Sequence, residues 1–318
     1  MTEEFRGTIE GFDTLGLRSE GVELQIVPAL GARMISLRSR RTGREWLWRT
    51  EDGRGLFAAG PGTPFEHSPL AGIDECLPSI AACDLDGVTI PDHGEAWSAA
   101  WRAHIDAISI VSELSLRCLP LRLIRRIQLA GDTIEVYYCL TNCSVKPVRY
   151  LWALHPLFQW QDGWHVELGG KSTVRVSAAS GAQLKAGAEG VWPEPQAGIN
   201  LALGNLGAKA RGYCKAFMST RTAPRIALIA GGERLELSVN PDEVSHWGYW
   251  LTRGGWHGHT HLALEPTNAA ADSVAEVHSP CSATTLQPLE VRRWTLRICL
   301  RDAAGIAPPL TSGTDGDS

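Results

Sequence analysis

Leu121-Arg-Leu-Ile-Arg-Arg-Ile-Gln-Leu-Ala130, then Gly131-Asp132, then Thr133-Ile-Glu-Val-Tyr-Tyr-Cys-Leu-Thr141: the reading of this stretch decides the fold class. Side chains of a strand alternate between two faces. Leu121, Leu123, Ile127 and Leu129 share one face, and Ile134, Val136, Tyr138 and Leu140 form the apolar face of the next run. A Gly-X pair between two such runs marks a type II′ hairpin. Residues 110–117 supply a preceding strand, so three strands follow one another with no helical period. Arg125 falls on the apolar face of the middle strand, an inward charge that needs a buried partner.

Working outward, residues 22–28 and 33–39 alternate as neighbouring strands, and Arg41-Thr-Gly-Arg44 turns the chain into Glu45-Trp-Leu-Trp48 as a hairpin return. Arg38, Arg40, Arg41 and Arg44 read as a solvated turn rather than a phosphate site. Residues 226–230, 235–239 and 244–251 resume the pattern up to a Gly254-Gly255 turn, and 292–300 is the last strand. Residues 161–224 carry less pattern, with a strand near Val174. Between residues 53 and 91 the chain is rich in Gly, Pro and Asp and has no period. Such long irregular connections are usually functional. The class is all-β, a large antiparallel two-sheet sandwich forming one domain over 1–302. The tail at 303–318 is rich in Gly, Pro, Ser, Thr and Asp and is expected to be disordered.

Composition narrows the function. A hydrophobic content of 44% and a charged content of 20% fit an ordinary globular chain, and a net charge of -5 opposes nucleic-acid or anionic-membrane partners. The polar N-terminus has no apolar leader, and no run approaches the ~18 apolar residues of a membrane span. Eight cysteines without a Cys-x-x-Cys pair fit a reduced, cytoplasmic chain. Twelve tryptophans against six phenylalanines and five tyrosines is an unusual balance. Indoles pack a β core, and they also offer flat platforms for the C–H faces of sugars.

Three stretches carry chemistry. In Thr260-His-Leu-Ala-Leu-Glu-Pro266, Leu262 and Leu264 face a core, while His261, Ala263 and Glu265 face away, with His259 just before. Glu265 ends that face before a proline, which tends to mark a strand end. It reads as a solvated acid or as a general base. In Tyr150 to Phe158, His155 is the sole ionisable group of an apolar strand, a core histidine or an acid. In Pro91-Asp-His-Gly-Glu-Ala-Trp97, Gly94 permits close backbone approach, and Asp92 or Glu95 can hold the His93 imidazole in one tautomer.

Pro-Asp-His-Gly at 91–94, Leu-His-Pro-Leu-Phe at 154–158 and Leu-Glu-Pro-Thr at 264–267 occur in an order that resembles the aldose 1-epimerase (galactose mutarotase-like) family. Gly31-Ala-Arg-Met-Ile-Ser-Leu37, Asp272-Ser-Val-Ala-Glu276 and Leu286-Gln-Pro-Leu-Glu290 with Trp294 add to the resemblance, which covers roughly residues 22–300. It implies a β-supersandwich that binds a small-molecule sugar in a cleft and interconverts its anomers. Glu265 would be the general base, His155 the general acid and His93 a sugar-binding histidine. Arg33, Glu75, Asp92, Trp97 and Trp250 are further candidates for binding the sugar, and Trp247 and Trp256 are candidates for the cleft or for the core. No metal or redox cofactor is required. Hexose-phosphate members carry an arginine where Trp97 stands here, which favours a neutral sugar. The substrate-binding aspartate of galactose-type members has no equivalent between residues 204 and 225, and Pro288-Leu289-Glu290 replaces their Pro-Gly-Glu.

Two rival readings remain at this stage. His259-x-His261-x-x-x-Glu265 matches the ligand spacing of a cupin metal site, although Arg253 and Asp272 stand where that motif has glycines. A non-catalytic sugar-binding protein of the same fold is the other, since fold alone does not fix activity. The sequence leaves the particular sugar and the oligomeric state open.

Overall fold

The computed structural model describes residues 1–181, 183–207, 211–277 and 282–303; from residue 304 on, the expected tail lies outside them. The chain opens with β1 (Glu3–Ile9), β2 (Phe12–Arg18), β3 (Val22–Val27) and β4 (Arg33–Ser39), then β5 (Ile73–Cys76) and the small hairpin β6 (Cys83–Leu85) and β7 (Val88–Ile90). A meander follows: β8 (Arg102–Asp106), β9 (Ser109–Ser115), β10 (Leu121–Ala130) and β11 (Thr133–Asn142). Next come β12 (Val148–Arg149), β13 (Ala153–Pro156), β14 (His165–Leu168), β15 (Thr173–Ser180), β16 (Glu189–Val191) and β17 (Gly212–Ser219). The last third holds β18 (Arg225–Ala230), β19 (Glu233–Val239), β20 (His246–Trp256), β21 (His259–Thr267), β22 (Thr285–Leu286) and β23 (Val291–Asp302). No helix among the described residues is long and apolar enough to cross a membrane.

Among the described residues the strands form two large sheets. The larger runs β1-β2-β3-β4-β5-β13-β21-β20-β17-β15-β16, and the smaller β14-β18-β19-β23-β11-β10-β9-β8. The meander is as the alternation requires: β10 pairs antiparallel with β9 and β11, and Gly131 takes a positive φ of 62° in the two-residue turn. Leu123, Ile127, Ile134 and Val136 bury their faces with Leu24, Leu37 and Leu264 of the other sheet in one continuous core. Each such aliphatic side chain contributes about 1.5–3 kcal/mol when fully buried. Arg125 finds its partner in that core: its Nη1 donates to Glu75 Oε1 at 3.0 Å, and its Nη2 donates to the carbonyl of Ala32.

Several elements depart from the sequence reading. β1 and β2 go beyond the strands that the sequence pattern shows: β1 is mostly exposed, and β2 buries four consecutive residues, Thr14 to Leu17, without alternation. Residues 45–48 make only isolated bridges, Arg38 to Glu45 and Leu47 to Phe158. The Glu45 carboxylate takes the Leu37 and Leu47 N–H groups at 2.9 and 3.0 Å and so stands in for a ladder. The irregular stretch 53–91 contains β5, whose four residues are all buried. Gly254-Gly255 is a bulge within β20, and the turn comes at His257-Gly258, both with positive φ. A Cβ on Gly255 would lie 2.3 Å from the Gly212 backbone, so glycine here serves close strand packing. β21 continues one residue beyond Pro266.

Candidate active site

Five neighbouring strands of the larger sheet, β13, β21, β20, β17 and β15, carry the candidate site, with β5 beside them. Register decides which side chains meet. Ala153 pairs with Thr267, so His155 and Glu265, two residues inward on each strand, share a face. On its other side His155 pairs with Asp74 of β5. On β21, Leu262 and Leu264 enter the core, while His261 and Glu265 line a cavity on the opposite face. Glu265 pairs across β20 with Gly248, and Lys215 of β17 pairs with Trp250.

Glu265 is fully buried. Lys215 Nζ donates to its Oε2 at 2.6 Å, and Asp272 Oδ1 lies 3.5 Å from the same ammonium. Glu265 Oε1 has no hydrogen-bond partner among the described residues and stands 3.9 Å from His155 Nε2. Burial pulls the pKa of Lys215 down, but the charges of Glu265 and Asp272 outweigh it and hold the lysine above its ordinary value. His155 is also buried. Burial first, then the charges of His93, Lys215, His261 and Arg33, push its pKa well below the usual imidazole value, so the resting ring is neutral. Burial takes His261 down to about 3. Trp250 Nε1 donates to His261 Nε2 at 3.2 Å, which leaves the His261 proton on Nδ1.

The loop after β7 closes one side. His93 sits at a φ of 58°, its Nδ1 2.8 Å from Asp92 Oδ1, and its ring stacks on Phe65 at 4.0 Å. The Phe65 N–H donates to Asp92 Oδ2 at 2.8 Å, and Trp97 Nε1 donates to the Asp92 carbonyl at 2.9 Å. Burial works against ionisation of Asp92, yet the hydrogen bond and charge of His93 and the Phe65 N–H hold its pKa below the usual value. Gly94 has a φ of 71°, and a Cβ there would lie 2.1 Å from the Leu77 carbonyl oxygen. The cavity measures about 290 Å³, near the lower end of small-ligand pockets. Phe65, Leu157, Trp250 and Trp256 give it apolar and aromatic walls.

The structure brings Glu265, His155, His93, Asp92 and Trp250 together around this cavity. It does not bring Arg33, Glu75 or Trp97, the other sugar-binding candidates of the sequence, to its wall. Arg33 is buried, its Nε donating to Asp74 Oδ1 at 2.6 Å and its Nη1 to the Pro69 carbonyl. Glu75 faces the space between the sheets, where it accepts from Arg125, from Tyr138 Oη at 2.9 Å and from Trp152 Nε1 at 2.7 Å. Trp97 packs edge-on against Phe65 behind the loop. Trp247 is fully buried, and Trp256 lines the cavity.

Lys215 escaped the sequence reading because residues 161–224 showed little pattern. Its signal was the one that identified Arg125: a lone charge inside Tyr213-Cys-Lys-Ala-Phe-Met218, a run that needs an inward partner. Asp272 enters the sequence reading within Asp272-Ser-Val-Ala-Glu276 and as a position where the cupin motif has glycine, but not as a partner of a buried lysine. The metal reading of His259, His261 and Glu265 fails on distance. β21 pairs in regular register from Thr260 to Thr267, and four residues of strand separate His261 from Glu265 by about 13 Å. Among the described residues no group of three His, Cys, Asp or Glu is arranged to hold a metal ion.

No protein-family model matches the sequence, and no curated protein matches it significantly. Solved structures do. The Slr1438 protein from Synechocystis sp. PCC 6803 superposes with a TM-score of 0.67 at 15% identity, covering 91% of this chain and 96% of its own. A galactose mutarotase-like protein from Clostridium acetobutylicum gives 0.63 at 14% identity, covering 95% and 98%. A galactose mutarotase related enzyme from Lactobacillus acidophilus gives 0.63 at 13% identity, covering 91% and 97%. The chain has the galactose mutarotase-like fold.

Proposed function

We propose that this chain, a β-supersandwich of the galactose mutarotase-like fold, is an aldose 1-epimerase whose active site is the cavity around Glu265 and His155. The observation that carries the reading is the approach of an unpartnered carboxylate oxygen, Glu265 Oε1, to within 3.9 Å of His155 Nε2 at the cavity wall. In a pyranose the hydroxyl oxygen O1 and the ring oxygen O5 are both bonded to C1. An acceptor and a donor at this separation suit two oxygens on one carbon.

Glu265 Oε1 takes the O1 proton as the C1=O1 double bond forms. The C1–O5 bond breaks, its electron pair stays on O5, and a protonated His155 Nε2 delivers a proton there. Rotation about C1–C2 in the open-chain aldehyde turns the other carbonyl face to O5. Ring closure returns both protons, so the two side chains end in their starting states. Each transfer contributes typically ~10² to 10⁴ in rate. His93, held by Asp92 and stacked on Phe65, would hydrogen-bond a sugar hydroxyl, with Trp250 and Trp256 against its C–H faces.

A neutral sugar suits the walls better than a phosphorylated one. Among the described residues that line the cavity, Lys215 is the only Lys or Arg, and it already serves Glu265, whereas Asp92, Glu265 and Asp272 are all carboxylates. The test is exchange at equilibrium, by NMR magnetisation transfer between the two C1 protons of free aldoses and of their 6-phosphates. Faster exchange with a free aldose is the expected result. Saturable binding without exchange would make the protein a sugar binder, and a strong 6-phosphate preference would overturn the substrate class.

A further inference from the structure

Lys215 and Glu265 lie on strands that are not neighbours: β20 runs between β17 and β21. The lysine reaches the carboxylate across the position of Gly248, which pairs with Glu265. A Cβ on Gly248 would stand 3.0 Å from Oε2, the very oxygen that Lys215 holds. A side chain at this position in the intervening strand would crowd the oxygen that makes the bridge. Asp272 sits behind the ammonium, and its backbone is fixed because its carbonyl accepts the Ile80 and Ala81 N–H groups at 3.0 and 2.6 Å.

We infer that Lys215 is a positioning residue for the base: it occupies Oε2, leaves Oε1 as the sole proton acceptor toward His155, and keeps the buried carboxylate charged. This rests on the reading of Glu265 as general base. A buried carboxylate is held as an anion by a countercharge beside it. The other groups that face this pair differ in kind. His155 and His261 are held neutral by burial, the Cys76 thiol is pushed well above its usual pKa by burial and by Glu265 and Asp74, and Asp74 is paired with Arg33. His93 is engaged by Asp92, and Asp272 adds negative charge on the far side of the ammonium. None of these replaces the lysine. The direction of the Lys215 pKa agrees, since a lysine raised despite full burial is a cation at every working pH.

The test compares wild type with Lys215→Met and Lys215→Arg, with Glu265→Gln as the control. The first readout is a 13C NMR titration of the Glu265 carboxyl in protein labelled at glutamate. In Lys215→Met the midpoint should move up relative to wild type, because the opposite charge that favours the ionised carboxyl is gone, and in Lys215→Arg it should return toward wild type. The second is C1-proton exchange of D-galactose and D-glucose against pH. Lys215→Met should lose ~10²-fold in kcat near pH 7, and its deficit relative to wild type at the same pH should shrink as pH rises, with KM little changed. Should Lys215→Met misfold, the arginine variant still decides the matter, because a retained cation predicts a retained midpoint and pH profile. An unchanged Glu265 midpoint in Lys215→Met, or a midpoint displaced equally by arginine, overturns the inference. Full activity in Glu265→Gln would instead overturn the assignment of the base and leave the titration result standing.

Discussion

At the scale of single residues, His155 is where structure and proposed chemistry pull hardest against each other. Burial keeps its ring neutral, yet the proposed step needs it to give a proton to O5. The form competent in ring opening carries an ionised Glu265 and a protonated His155. Because the His155 pKa lies below its usual value, that form is lost as pH rises through the depressed value. kcat/KM should therefore fall with rising pH along a limb whose midpoint lies below 6.5. A profile flat from pH 5 to 9 would show that no such proton is needed. His155→Gln should lose ~10²-fold or more in kcat while unfolding cooperatively like wild type. Much of this was legible in advance: a histidine alone in an apolar strand and a carboxylate ending the solvent-side face of another announce themselves by being out of place. Lys215 was equally out of place, but its strand is one of small and mixed residues, Gly212 to Ser219, with no alternation to frame it.

At the scale of elements, β5 shows why some readings went astray. Four residues, Ile73-Asp-Glu-Cys76, form a short strand in the interior of the larger sheet, with all side chains buried. Two consecutive acids in a stretch rich in Gly and Pro look like loop, and nothing local says that they project to opposite faces of a sheet. Asp74 meets Arg33 and Glu75 meets Arg125, each pair almost wholly sequestered from solvent. Burial raises the pKa of both carboxylates, and the arginine beside each opposes that rise. Tertiary partners brought by β4 and β10 turn loop-like sequence into strand. Glu75 thus holds the two sheets together behind the site rather than touching ligand. Arg125→Met should cost roughly 3–5 kcal/mol in denaturant unfolding, since it leaves Glu75 unpaired in the core. Adding Glu75→Gln should restore a substantial part of that loss, a coupling that a double-mutant cycle reads directly. Additive losses from the two changes would mean that the pair is not an energetic unit.

At the scale of the whole molecule, the fold class was readable because antiparallel strands with one face in the core alternate strongly, as β9, β10, β11 and β23 do. What was not readable was sheet order. The larger sheet gathers β4, β5, β13 and β21 side by side from positions scattered over most of the chain, and local pattern carries no record of such pairings. The candidate site exists only through that order: His155 comes from one segment, Glu265 and Lys215 from two others, and His93 from the loop after β7. The central claim, that the gathered carboxylate performs anomeric proton transfer, is tested most directly by C1-proton exchange in wild type and in Glu265→Gln. Glutamine preserves the shape of the side chain and an acceptor for Lys215 but takes no proton from O1. The account predicts accelerated exchange of a free aldose by wild type and at least a ~10²-fold loss in the variant, with sugar binding retained. Exchange at the wild-type rate in Glu265→Gln would contradict it.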